Sequence, residues 1–93
     1  MAIKTFLVEH YRPGLRPGEL EKLARQASTA LRELEQAGRP LRVLRTVIVP
    51  GDESFLSVVE ASSERLVRDA YSRSGIGFDR ISPSRVLADP ETE

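Results

Sequence analysis

The sequence predicts an α+β fold with the element order β-α-β-β-α-β, and three observations carry that prediction. Leu41 to Ala61, LRVLRTVIVPGDESFLSVVEA, reads as two strands rich in β-branched and aliphatic residues on either side of a Pro-Gly-Asp turn. Glu19 to Ala37 repeats apolar residues at spacings of three and four, as an amphipathic helix does. A shorter helical pattern follows the hairpin, and strand-like segments open and close the chain. This order matches the split β-α-β, or ferredoxin-like, arrangement, in which two helices back one face of a four-stranded antiparallel sheet.

Ile3 to His10 has strand composition and ends near the Arg12-Pro13-Gly14 turn, with Phe6 and Val8 on one face and Thr5, Leu7 and Glu9 on the other. Pro17-Gly18 opens the first helix, where Glu19 and Glu21 suit the positive end of the helix dipole. Leu20, Leu23, Ala27, Ala30 or Leu31, and Leu34 form its apolar stripe, and Gly38 and Pro40 end it. In the hairpin, placing Val49 opposite Ser54 makes Ile48 meet Phe55, Leu44 meet Val59 and Val43 meet Glu60. One face then carries Leu44, Thr46, Ile48, Phe55, Ser57 and Val59, and the other Val43, Arg45, Val47, Leu56, Val58 and Glu60. Ser62 or Ser63 caps a second helix reaching Arg73, with Leu66, Val67, Ala70 and Tyr71 inward and Gly75 as its stop. The last extended segment, Phe78 to Val86, contains Pro83, which makes it an edge strand or a short one. Residues 1–87 are expected to form a single domain, and 88–93 an acidic flexible tail.

Composition narrows the function classes. No run approaches the roughly 18 apolar residues of a membrane span, and the N-terminus lacks the pattern of a signal peptide, so a cytoplasmic protein is expected. The absence of cysteine removes disulfides, thiolate ligands and a cysteine nucleophile together. Fourteen basic and fourteen acidic residues balance without forming blocks, which argues against a nucleic-acid partner. No Ser-His-Asp constellation is visible, and the dispersed glycines form no phosphate-binding loop.

Two helices cover only one face of such a sheet. The other would present Leu7, Val43, Val47, Leu56 and Val58, too much contiguous apolar surface for a small monomer, so a face-to-face homodimer is expected. The same registers put Glu9, Arg45 and Glu60 on that face, where charge is costly unless paired. Arg45 bridging the two carboxylates is one reading. The other is a pocket in which Glu9, Tyr11, Arg45 and Glu60 hold a polar ligand, or Glu9, Glu60 and His10 a divalent metal ion. His10, the only histidine, shares the side of Phe6 and Val8 near the strand end, where a partly exposed rim position is expected.

TFLVEHYRPGL near the start, SVVEA in the third strand and the closing RSGIGFDRIS resemble a family of small bacterial proteins of unknown function, some of whose members carry nickel-binding or nickel-responsive descriptions. The resemblance spans about Phe6 to Ser82. It implies a ferredoxin-like subunit in an α/β-barrel-like homodimer, with Glu9, Arg45 and Glu60 at the family's recurrent charged strand positions and a divalent metal such as nickel as a cofactor. Ser57 stands where many members have Cys, and Ala70 where many have His. Three functions follow as alternatives. They are a non-enzymatic homodimer binding a small ligand or metal ion, a cofactor-independent monooxygenase- or isomerase-like enzyme using the dimer cavity, and a structural or partner-binding module.

Overall fold

The computed structural model describes residues 3–87, so the expected acidic tail at 88–93 lies outside the described residues. Its elements run β1 (Lys4–Tyr11), α1 (Pro17–Gln36), β2 (Leu41–Val49), a 3-10 turn (Pro50–Asp52), β3 (Ser54–Ala61), α2 (Glu64–Ser74) and β4 (Arg80–Ser84). The sheet order is β2-β3-β1-β4, antiparallel at every junction, which is the ferredoxin-like α+β arrangement. β4 is an edge strand, where Pro83 needs no ladder partner on its outer side.

Local signals place the helix ends. The Glu19 carboxylate accepts the Arg16 backbone N–H at 3.0 Å, satisfying a donor at the start of α1. Ser63 caps α2 by accepting the Leu66 N–H at 3.3 Å. Gly75 ends α2 with φ 74°, a left-handed backbone that other L-residues adopt at a cost.

The helices cover the sheet face that carries Phe6, Val8, His10, Phe55, Ser57 and Val59, all buried. Two apolar clusters form there. Leu31, Val67, Ala70 and Tyr71 pack on Phe6, Val8, Val43 and Val59, while Leu20, Ala24 and Ala27 pack on Phe55. Ser57, midway along β3 between Phe55 and Val59, and its cross-strand partner Thr46 put hydroxyls between these clusters.

One expected register is corrected. Ile48 does face Phe55 and Val49 faces Ser54, but a bulge between Val43 and Arg45 pairs Val43 with Val59 and Arg42 with Glu60. The extra residue at Leu44 shifts the alternation by one. Val43 is thereby buried under the helices, Leu44 is 37% exposed, and both Arg42 and Arg45 emerge on the open face.

Candidate functional site

β1 and the α2–β4 connection are fastened at one end of the sheet. Arg12 donates to the Tyr11 and Gly77 carbonyls at 2.7 Å each and to Asp79 Oδ2 at 2.9 Å. The Tyr11 N–H donates to the same Asp79 oxygen at 2.7 Å, and the Asp79 N–H returns a bond to the Glu9 carbonyl at 2.9 Å. The Tyr11 amide, ahead of the Arg12 guanidinium, holds the Asp79 carboxyl below its ordinary pKa.

His10 lies beneath this clasp, fully buried rather than partly exposed as its strand-end position suggested. Two neighbours bury it: its ring stacks on Phe55 with centroids 4.3 Å apart, and Tyr71 approaches at 5.3 Å. Nδ1 lies 2.8 Å from the Gly77 carbonyl, so it must carry the proton, which leaves Nε2 as a lone-pair acceptor. Burial drives the imidazole pKa down, Arg12 adds to that, and the Gly77 bond and Asp79 oppose it. Nε2 and the Tyr71 hydroxyl are buried without a partner among the described residues. Burial pushes Tyr71 up to about 12; Ser57 lies near enough to moderate this, though short of a full hydrogen bond.

On the open face, strand alternation lays out Thr5, Leu7, Glu9 and Tyr11 from β1 beside Ser54, Leu56, Val58 and Glu60 from β3. Leu7, Leu56 and Val58 are half-buried, Val47 is 40% exposed and Tyr11 54%. Where this face meets the β2–β3 turn, a groove of about 610 Å³ is lined by Glu9, His10, Tyr11, the 51–54 turn, Asp79 and Arg80. Of its four carboxylates, Asp79 is paired with Arg12 and Glu9 lies 3.8 Å from Arg80, which leaves Asp52 and Glu53 in excess, so the field there favours a cation.

The structure divides the residues singled out from the sequence. Glu9 and Tyr11 share the groove, and Glu9 lies 3.8 Å from Arg80 rather than against Arg45. Glu60 pairs across strands with Arg42 and Thr5, four residues along β3 from Glu9's partner Leu56, or about 13 Å away. Arg45 lies opposite Val58 on the edge strand, diagonal to Glu60. His10 points to the helix side while its neighbour Glu9 points to the open side, so His10, Glu9 and Glu60 do not converge within one chain. Among the described residues no group of three or more His, Asp or Glu is arranged to hold a metal ion. Within a single chain, the described residues therefore do not by themselves assemble the nickel site that the family resemblance implies.

Arg12, Asp79 and Tyr71 were not legible as a unit, because each lies in or beside a different local motif and 67 residues separate the paired Arg12 and Asp79. The only sequence hint was a pair of charges beside the two Gly-containing connections.

The fold and this clasped groove define a ferredoxin-like α+β domain with a polar end and an uncovered sheet face. No family model and no curated protein matches the chain. Among solved structures, the chain is similar to SCO4226 from Streptomyces coelicolor A3(2), with TM-score 0.64 and 15% identity over 90% of this chain and 99% of that one. At that identity the likeness is one of fold. No helix among the described residues is long and apolar enough to cross a membrane.

Proposed function

We propose that the protein is a non-enzymatic homodimer that binds a small positively charged ligand at the edge of its dimer interface. The supporting observation is the open face itself: Leu7, Val47, Leu56 and Val58 form a continuous apolar strip that runs into the acid-rich groove at Glu9 and Tyr11. A second copy laid on that strip removes apolar area from water and roofs the groove, strengthening the field of its carboxylates. Arg45 and Glu60, which lie apart from the groove in one chain, then serve as rim charges that set the register between copies. Native mass spectrometry of the purified full chain, with elemental analysis of the same sample, tests the reading. A dimer carrying a small organic mass supports it; a monomer with no bound mass at micromolar concentration refutes it, and stoichiometric nickel would move the ligand from organic cation to metal.

One observation favours an enzyme as a second reading. A buried imidazole whose Nδ1 is held by the Gly77 carbonyl keeps its Nε2 lone pair as a proton acceptor. Cofactor-free turnover of a quinol-like substrate that is abolished in His10→Phe distinguishes it from the binding protein.

A further inference from the structure

On the opposite side of the molecule, a groove of about 280 Å³ opens between α1 and β2, lined by Ala24, Arg25, Ser28, Arg32, Thr46 and Ile48. Arg25, Ser28 and Arg32 follow the i, i+3, i+7 spacing that puts them on one helix face. Among the described residues no carboxylate lines this groove, although the chain as a whole is neutral. Arg32 folds back so that its Nε donates to Ser28 Oγ at 3.3 Å, and among the described residues it forms no ion pair. Arg25 shares one edge with Glu21 at 3.1 Å and keeps the rest of its fork free.

A second observation comes from behind the floor. Thr46 Oγ1 is 3.4 Å from Ser57 Oγ, Ser57 lies beside the Tyr71 hydroxyl, and that hydroxyl, buried and without a partner, is a donor with no assigned acceptor. When Ser57 donates to Thr46, the Thr46 hydroxyl keeps its own proton for a group in the groove.

We infer that this groove binds a phosphomonoester, with Arg32 and Arg25 holding the phosphoryl oxygens and the Thr46 hydroxyl donating from below. Two guanidiniums on the helix and a hydroxyl on the strand approach from different elements, which suits a tetrahedral oxyanion better than a flat carboxylate. The volume exceeds what one phosphoryl group needs, and Ala24 and Ile48 offer an apolar wall to the rest of the molecule. This site is independent of the acidic groove proposed above.

The test is a titration of the uniformly 15N-labelled full chain with inorganic phosphate at constant ionic strength, followed by amide chemical shifts. Saturable shifts centred on Ser28, Arg32 and Thr46 are expected, with affinity about tenfold weaker in Arg32→Ala and unchanged in Arg68→Ala on α2. Arg32 is exposed, so its removal leaves the fold intact as a control. Shifts that fail to saturate, or an identical curve in Arg32→Ala, overturn the site; an equal response to acetate overturns its tetrahedral selectivity.

Discussion

His10 ties the clasp to the core, and its neutrality carries a pH dependence with a definite sign. Burial is the leading cause that lowers its folded pKa below the ordinary 6.5, so below that pH the unfolded chain binds a proton that the folded chain resists. Stability from this residue is complete above about pH 6.5 and is lost as the pH falls below it. Urea midpoints at pH 7.5 and 5.5 check this: the wild type should drop between them more than His10→Phe, which keeps an aromatic stack on Phe55 but cannot titrate. Equal drops would mean that the imidazole is not the group responsible. Within the clasp, Arg12→Met removes three donated bonds from a side chain 28% exposed, and a loss of about 1 kcal/mol in chemical denaturation is expected.

At the scale of elements, the bulge in β2 makes a prediction that regular alternation would reverse. Val43 is buried and Leu44 is not, so Val43→Ala should cost about 2 kcal/mol and Leu44→Ala about 0.5 kcal/mol by thermal or urea unfolding. The opposite order would restore the unbulged register. This position also marks where the sequence stops being readable. Element order, a cap at Ser62 or Ser63, the Gly75 stop and a Pro83 strand that is short or at an edge were legible because each depends on a residue's own backbone or side chain. In α1, Leu20 and Ala27 were legible from their spacing and the choice between Ala30 and Leu31 was left to packing, which buries Leu31; buried Ala24 was missed because a small residue barely marks the stripe. The bulge was hidden, since Arg42-Val43-Leu44-Arg45 fits either phase and only the helices above decide it. His10 was hidden for a similar reason: alternation gave its face correctly, but burial depends on Phe55, Tyr71 and Gly77, which fold over it from other elements.

For the whole molecule, the distribution of apolar surface decides how copies of the chain relate. The helix side has satisfied its aliphatic and aromatic residues, with Phe55, Val59 and Val67 at 0% exposure. The other side keeps Leu7, Leu56 and Val58 only half covered, with Val47 and Tyr11 more exposed still. Leu56 is the most informative of these, because its neighbours Val47 and Glu9 connect the apolar strip to the acidic groove. A charge there would be buried without a partner in a face-to-face dimer, yet solvated in a free subunit, where the side chain already meets water. On the homodimer proposed above, Leu56→Lys should therefore separate the two copies and leave the fold in place. Light scattering after size exclusion would read half the wild-type mass while the far-ultraviolet circular dichroism stays the same. If ligand occupancy falls with it, the second copy completes the groove. If the variant stays dimeric at micromolar concentration, the contact lies elsewhere, and the edge of β2 becomes the surface to test, because its outer backbone groups have no partner strand among the described residues.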